Sequence, residues 1–491
     1  MRPIFVHCKP DAGYDTRFDT VLMVNGSIAV LNRVTQQLLG HPGLAIDESY
    51  PGPNLDGHER EFVFEYICKE VEQSLIAGEK PAVYCTLLSY NACSSLELLR
   101  RLKRQFGSRV RTGVGGALVG FAINAYRRAP FIDQVAVGDA ETCLPRMLAG
   151  VPFVAGRKHV LPQDHYVAPL YDENYLGLST RLDDMSRYVY GPLTKIRQLI
   201  TESVRGCSWA YTTGRVCEFC SVYGVEEDPI FRDLHEHFAI ERELVEKQRV
   251  NWIFDVSSQW MPVMGPAKQV AWLEEYIAAR KRYDAPDINR YVYLTVNSVT
   301  EETVPLLREA GVTSVFIGID GWDAGTKRAM HKTLAPHERA LDACRANGVT
   351  VRTAVVVGSG LTRTNLETLP TFVEDMMKRY AGDTLIAFST YMQIVLPGSP
   401  EWSRLRTEAF NPANRDHPLL SQIAQLYLRF ESAGYLTTDE QSRLDELRIR
   451  HTQRLVEYEA VVEAQKNAAD AVRRSDAMSI TYFECEKLEK P

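Results

Sequence analysis

The chain has 491 residues, of which 45% are apolar and 24% charged, with a formal net charge of −7. That length is more than one ordinary core organises, so two or three domains are expected, and the composition is that of a globular protein in water. The acidic balance excludes a general polyanion binder such as a bulk RNA-binding protein, although it leaves room for a local basic groove.

Met1-Arg2-Pro3-Ile4-Phe5-Val6 runs straight into a strand-like segment, with no signal peptide. No apolar run approaches the roughly 20 residues that span a membrane. A cytoplasmic location is expected, and in that reducing setting the ten cysteines read as thiols or metal ligands rather than disulfides.

In chain order, Pro3–Cys8 and Ala82–Leu88 are strand candidates. A helix follows that opens with Ser94 and Glu97 at capping-box spacing, carries Leu98, Leu99, Leu102 and Phe106 on one side, and stops at Gly107. Val110–Val114, the pair Gly115-Gly116 and a strand at Gln134–Val137 come next. This alternation predicts a doubly wound, Rossmann-like parallel sheet over residues 1–155, with its ligand crevice beyond the carboxyl ends of the strands. Residues 156–195, polar with Tyr and Pro, read as a linker.

From Ile196 the alternation resumes. Strands are expected at Leu199–Val204, Trp252–Val256, Tyr291–Val296, Ser314–Ile319, Val349–Val357 and Leu385–Val395. Thr300 starts a helix ending at Gly311, and another covers Ala335–Asn347. Six such units over 196–400 predict a partial (β/α)6 TIM-type barrel, with its chemistry at the carboxyl ends of the strands. Residues 401–491 read as a helical C-terminal region with Leu, Val and Tyr at helical spacing around Leu444–Val462.

The segment Arg205-Gly206-Cys207-Ser208-Trp209-Ala210-Tyr211-Thr212-Thr213-Gly214-Arg215-Val216-Cys217-Glu218-Phe219-Cys220 brings three thiols into fourteen residues after a strand. Three ligands are one short of closing a tetrahedral zinc site or a fully ligated four-iron cluster. One iron then stays open for a chelating ligand with an amino and a carboxylate group, and S-adenosylmethionine (SAM) is such a ligand. The competing reading is a zinc site completed by His235 or His237.

Arg-Gly-Cys followed by Cys-x-Phe-Cys resembles the cluster motif of radical SAM enzymes, in particular the class B methyltransferase-like subfamily with an N-terminal cobalamin-binding domain. The resemblance implies a [4Fe-4S] cluster on Cys207, Cys217 and Cys220, with Phe219 packing near the SAM adenine. The chain departs from the common spacing of three residues between the first two cysteines, for here there are nine. Downstream, Gly318-Ile319-Asp320-Gly321-Trp322 resembles the family's strand ending in an acidic residue and glycine, and Met330-His331-Lys332 stands in place of its short Lys-containing segment. Val355-Val356-Val357-Gly358-Ser359-Gly360 resembles the glycine-bearing fifth strand, and Leu396-Pro397-Gly398-Ser399-Pro400 the Pro-Gly turn after the sixth.

By this resemblance Asp320 binds the SAM ribose or amino group, unless it is simply a helix N-cap. Gly358 and Gly360 let backbone approach the adenine, and Asp255, Ser257 and Gln259, at the end of the second strand, contact the SAM methionine. Tyr391, Gln393 and Arg352 are expected to point into the barrel.

Gly115-Gly116 and Gly138-Asp139-Ala140-Glu141, each after a strand, resemble the cobalamin-binding domain. Thr86-Leu87-Leu88 lies where the family has a small hydroxyl residue before the cofactor's nucleotide tail. Thr86, Leu88, Gly115, Gly116 and Glu141 are the cobalamin-binding candidates. The alternative is that these glycines only make the turns of a doubly wound sheet, in a relic domain that shapes a substrate cavity. The Asp-x-His-x-x-Gly signature of His-ligated cobalamin is absent, and Asp233-x-His235-x-x-Phe238 is a near miss. Cys8, Cys85 and Cys93 lie near strand ends, where buried structural thiols are the common case.

The resemblance implies reductive cleavage of SAM to a 5′-deoxyadenosyl radical, hydrogen removal from an unactivated carbon, and methyl transfer from methylcobalamin to a natural product or peptide. The substrate then sits between cluster-bound SAM and the cobalt, and an external donor such as flavodoxin or ferredoxin supplies electrons. A rival enzyme reading dispenses with cobalamin, for example by transferring an aminocarboxypropyl group from SAM. A tRNA methylthiotransferase would need a second cysteine triad near the N-terminus and a basic RNA-binding module, and neither is visible. The non-enzyme alternative is a zinc-stabilised interaction protein. No membrane partner is expected.

Overall fold

The structure is a computed structural model. It describes residues 2–8, 26–48, 57–156, 170, 175–177, 198–214, 216–221, 229–248, 252–262, 265–329, 337–357, 362–452 and 458–473. The chain divides into two compact units, one of residues 1–201 and 425–441, the other of 202–424 and 442–491.

The first unit holds strands β1 (Pro3–His7), β2 (Leu44–Asp47), β3 (Ala82–Thr86), β4 (Arg111–Gly115), β5 (Gln134–Val137), β6 (Phe153–Ala155) and β7 (Tyr175–Gly177). They form one parallel sheet in the order β6-β5-β4-β3-β1-β2-β7. Its helices are α1 (Gly26–Leu39), α2 (Gly57–Ile76), α3 (Ala92–Phe106), α4 (Ile123–Arg128) and α5 (Ala140–Leu148). The fully buried runs of β1 and β2 are what a sheet covered on both faces requires. The chain runs from β1 to β2 on one side and then returns to β3 on the other. The winding therefore reverses between β1 and β3, and a ligand crevice belongs there.

Two expectations need correction in this unit. The predicted linker 156–195 contributes β7, which pairs with β2 as an edge strand. Ser94 and Glu97 do not open α3, because the helix already begins at Ala92 with Asn91 at its N-cap, and Glu97 pairs with Arg100 one turn on. The apolar face is as expected, with Leu98, Leu99, Leu102 and Phe106 buried and Gly107 closing the helix at φ 58°.

The second sheet runs β15-β14-β13-β12-β11-β8. These strands are β8 (Gln198–Thr201), β11 (Trp252–Asp255), β12 (Asn289–Leu294), β13 (Val312–Asp320), β14 (Thr350–Val357) and β15 (Leu385–Met392). The strands from β11 to β15 are mutually parallel. The single strand expected at Leu199–Val204 is instead two, because β9 (Val204–Arg205) leaves the sheet to pair antiparallel with β10 (Ile230–Phe231). Helices alternate with the strands: α6 (Ser208–Thr213), α7 (Leu234–Gln248), α8 (Pro266–Arg282), α9 (Thr303–Glu309), α10 (Ala324–Ala329), α11 (His337–Ala346) and α12 (Arg363–Tyr380). The N-cap of α9 is Glu302 rather than the expected Thr300, which lies in the preceding turn with its hydroxyl accepting from the Thr303 amide at 3.2 Å.

Four helices follow, α13 (Pro400–Ala409), α14 (Pro418–Ala433), α15 (Thr438–Thr452) and α16 (Tyr458–Arg473). α16 is part of the barrel's core, burying Val461, Ala464, Ala468, Ala471 and Val472. No helix among the described residues is long and apolar enough to cross a membrane.

Candidate active site

β9 delivers the cysteine segment. It is followed by Gly206, which has φ +100°, and a Cβ there would lie 3.2 Å from Pro229 Cα, so the sharp exit favours glycine. Cys207 then takes an extended conformation as the N-cap of α6. Six of the nine residues between Cys207 and Cys217 form that helix. Ser208 Oγ donates to the Met261 carbonyl at 3.3 Å, Thr213 Oγ1 donates to Trp209 at 2.7 Å, and Gly214 closes α6 in the left-handed region. Cys217 and Cys220 flank a tight turn closed by the Cys220 amide on the Cys217 carbonyl at 2.9 Å. The unusual spacing is thus a helical turn inserted between the first thiol and the Cys-x-x-Cys turn.

Cys207, Cys217 and Cys220 are half-buried, whereas Cys8, Cys68, Cys85, Cys143 and Cys344 are buried. His235 and His237 do not complete a zinc site with them. His237 lies inside the second unit, 2.9 Å from both Tyr276 Oη and Glu241 Oε1. Asp233 caps α7 by accepting from the amides of His235 and Glu236, which accounts for the Asp-x-His near miss.

The strand entering this segment is pinned from β11. Ser257 Oγ accepts from the amides of Ser203 and Val204 at 3.2 and 2.8 Å, and Asp255 Oδ1 accepts from Ser203 and Ser257 at 3.3 and 3.0 Å. The other oxygen, Asp255 Oδ2, is buried with no hydrogen-bond partner among the described residues, an arrangement proteins rarely leave unmatched. Gln259 bridges the ends of two loops, accepting from the Thr295 amide at 2.9 Å and donating to Ser298 Oγ at 3.3 Å.

Alternation along the strands sorts the barrel's two faces. Val292, Leu294, Val315, Ile317, Ile319, Val351, Val355 and Val357 pack in the core with the helices, so Tyr291, Tyr293, Phe316, Gly318, Arg352 and Ala354 face the other way. Phe254 stacks on Tyr291 with centroids 4.6 Å apart, Tyr293 meets Phe316 edge-on at 5.2 Å, and the Arg352 guanidinium lies 5.0 Å over Tyr291. One register step further on, Gly318, Ala354 and Ser389 are aligned. An aromatic floor is therefore topped by a layer of small residues, over which the Asp320 carboxylate folds back, its nearer oxygen 2.9 Å from where a Cβ on Gly318 would stand.

Asp320 ends β13 with φ 59°, after a register shift between Gly318 and Asp320. It is not the cap of α10. Asp323 is, accepting from the Thr326 amide at 2.8 Å. A Cβ on Gly321 would lie 2.4 Å from the Lys327 amide, so only glycine lets the loop fold onto the helix start. Lys327 Nζ lies 3.4 Å from His337 Nδ1. Burial lowers the Lys327 ammonium, although Glu338, Asp320 and Asp323 pull the other way. Burial also takes His337 down to about 4, against the pull of Glu338.

In the first unit the candidates gather at one sheet edge. The Leu87 amide donates to Gly115 at 2.7 Å, and the Leu118 amide donates to Leu87. Gly116 has φ +104°, and a Cβ there would lie 2.7 Å from Leu87 O. Asn91 ties the edge together: its Nδ2 donates to the carbonyls of Thr86 and Cys8 at 3.1 and 3.2 Å, and its Oδ1 accepts from the Leu88 amide at 2.8 Å. Glu141 sits in the first turn of α5, after Gly138 at φ +112°. His7, buried at the end of β1 and paired with Asp47 on β2, is lowered by burial, with Asp47 opposing.

Residues 201–375 match the model of the radical SAM superfamily. They form a radical SAM domain. The chain is therefore an enzyme, and the family implies a [4Fe-4S] cluster and SAM as its cofactors. No curated protein matches the sequence. Among solved structures, the chain is similar to the radical SAM methyltransferase TsrM from Kitasatospora setae with tryptophan substrate and a SAM analogue bound, at 16% identity and TM-score 0.58 over 83% of this chain and 76% of that one. It is also similar to the cobalamin-dependent SAM radical enzyme OxsB with aqua-cobalamin and SAM bound, at 11% identity and TM-score 0.58 over 99% of this chain and 84% of that one.

The radical SAM domain's side chains fit that chemistry in two respects. Its half-buried thiols lie on one segment, and it leaves a buried carboxylate oxygen, Asp255 Oδ2, to which no described residue donates. Among the described residues no three His, Cys, Asp or Glu side chains are grouped to hold a single metal ion; a cluster, in which each thiolate binds its own iron, asks for a different spread. Gly358, Gly360 and Met330-His331-Lys332 lie outside the described residues, as does the side chain of Tyr391. Sequence reasoning missed Asn91, His7, Lys327 and His337. Only Asn91 carried a signal, as an asparagine at a strand-to-helix junction.

Proposed function

We propose that this enzyme is a cobalamin-dependent radical SAM methyltransferase acting on an unactivated carbon of a natural-product or peptide substrate. The observation that carries the reading is the pairing, in one chain, of a radical SAM domain with a parallel-sheet unit whose edge closes tightly at Gly116 and Leu87. The fold likeness to TsrM and OxsB, whose structures hold cobalamin, supports it.

In this reading Cys207, Cys217 and Cys220 hold the cluster. Asp255 Oδ2 takes a hydrogen bond from the SAM amino group, Asp320 takes the ribose or amino group, and Phe219 packs near the adenine over the small layer of Gly318 and Ala354. Thr86, Leu88, Gly115, Gly116 and Glu141 receive the cobalamin, its bulk lying against backbone that carries no side chain at Gly116. When bound, the cluster supplies an electron to SAM and cobalamin carries the methyl group, while the protein positions them and excludes water. The electron comes from a flavodoxin- or ferredoxin-like donor, and neither a membrane nor a nucleic acid is a partner.

Anaerobic reconstitution with iron, sulfide and hydroxocobalamin, followed by metal counting and analysis of SAM products, tests the reading. Bound iron and cobalt, with 5′-deoxyadenosine and a methylated product, support it. Iron without cobalt ends the cobalamin half, methylthioadenosine as product favours aminocarboxypropyl transfer, and a protein that takes up neither metal ends the whole.

A further inference from the structure

The Cys217–Cys220 turn is gripped from the C-terminal side of the second unit. The Glu218 carbonyl accepts from the Glu401 amide at 3.2 Å, and its carboxylate is reached by Arg404 Nε at 3.4 Å. Arg404 lies on α13, one turn after Glu401, and Nη2 stands 3.5 Å from Glu401 Oε1. The same Glu401 oxygen is 3.5 Å from Nε of Arg448 on α15, and both side chains are almost wholly buried. Gln393 donates its amide to Glu401 Oε2, and Arg448 Nη2 donates to the Gln393 carbonyl at 2.8 Å. Asp445, one turn before Arg448, accepts from the Val395 amide at 2.8 Å. The loop after β15, the start of α13 and the middle of α15 are thus tied together, with Glu218 at the outer end of the chain of contacts.

Two features set this apart from ordinary surface pairing. Glu401 and Arg448 carry buried charge, which is tolerated only when it is paired and hydrogen-bonded. Arg404 is anchored on three carboxylates, since Glu408 Oε1 also lies 3.2 Å from its Nη1, so its guanidinium is fixed in place when it meets Glu218.

We infer that Arg404, backed by Glu401 and Arg448, is a positioning residue for the cysteine turn: by holding Glu218 it sets where Cys217 and Cys220 present their sulfurs, and so tunes the cluster they carry. The inference rests on the proposed cluster ligation. Groups that hold and orient metal ligands change a centre's properties without touching the metal.

The test uses the full-length chain as Arg404→Ala, Glu218→Gln and Arg404→Lys, with Arg429→Ala as a control, because Arg429 pairs with Glu440 in the other unit. Amide exchange across residues 217–220 is followed in the cluster-free protein. The reconstituted protein is read by iron content, by the electron paramagnetic resonance spectrum of the reduced cluster, and by its midpoint potential. Arg404→Ala and Glu218→Gln are expected to speed exchange about threefold, the scale of a partly exposed ion pair. They should also shift the spectrum and potential at unchanged iron content, with Arg404→Lys recovering part of the shift and Arg429→Ala showing none. If Arg404→Ala does not fold, Glu218→Gln, which leaves Arg404 on Glu401 and Glu408, carries the test by itself. Unchanged exchange, spectrum and potential in Arg404→Ala and Glu218→Gln would overturn it. A wild-type protein without an iron–sulfur spectrum would instead bring down the ligation on which it rests.

Discussion

The hydroxyl of Ser257 stands 2.8 Å from the backbone nitrogen of Val204 and accepts its hydrogen bond. It also accepts from Ser203, at 3.2 Å, so one side chain at the end of β11 fixes the strand that leads to Cys207. Ser257→Ala removes the acceptor of the buried Val204 amide and leaves the Ser203 amide with Asp255 Oδ1 at 3.3 Å, a loss of about 1–3 kcal/mol. The unfolding free energy from urea titration is expected to fall by that amount, lowering the midpoint, and the reconstituted variant to retain less iron per chain. A variant with full iron content would show that this anchor does not matter to the cysteine segment.

Thiol exposure makes a second prediction. Iodoacetamide added to the native, cluster-free protein is expected to label Cys207, Cys217, Cys220 and Cys93, the half-buried thiols among the described residues. Cys344, whose thiol burial pushes up to about 12, stays unlabelled, as does buried Cys8. Reconstitution with iron and sulfide protects the three cysteines of the segment and leaves Cys93 reactive. Peptide mapping by mass spectrometry reads this directly, and protection of Cys93 in place of one of the three would change the ligand set.

The buried group of His237, Glu241 and Arg290 predicts an acid limit for the second unit. Burial works against the charged form of Glu241, but Arg290 at 2.7 Å and His237 overcome it and bring the carboxyl down to about 2. A carboxylate lowered in the folded state stabilises in full above its unfolded value of 4.5 and loses that contribution as pH falls toward 2. Arg290→Met breaks a buried pair and is expected to cost about 3–5 kcal/mol at neutral pH. Urea midpoints followed downward in pH should converge for wild type and variant, and parallel curves would refute the coupling.

Gly116→Ala tests the first unit alone. The residue has φ +104°, and the new Cβ would lie 2.7 Å from the Leu87 carbonyl oxygen, so the strain is of the order of 1–3 kcal/mol. Cobalt per chain after reconstitution is expected to fall while iron per chain holds. A variant that binds hydroxocobalamin as wild type does would remove Gly116 from the binding edge.

The cysteine motif was legible because its three cysteines are near neighbours in sequence, and the barrel was legible because each strand carries its own alternation. Less local features were not. Glycines at 206 and 214 bracketed α6, but nothing in the sequence said that the extra residues between Cys207 and Cys217 would coil into a helix. The capping box at Ser94 and Glu97 failed because Asn91, tied by its side chain to Leu88, Thr86 and Cys8, had already begun the helix. The strand in the expected linker, β7, owes its existence to the open edge of β2 rather than to its own three residues. The grip on Glu218 joins residues 183 and more positions apart, which no periodicity reports.

Tyr126 donates its hydroxyl to the carbonyl of Gly434, 308 residues later, and the tyrosine ring packs where any Cβ on that glycine would have to stand. The segment 425–441 thus completes a unit whose other residues all precede position 202. On the ribosome, where domains generally form in order of emergence, this first unit is synthesised early and finished late. Until the turn between α14 and α15 arrives, Tyr126 on α4 lacks the Gly434 segment that packs on it, and a chain released before that point has an N-terminal module it cannot close.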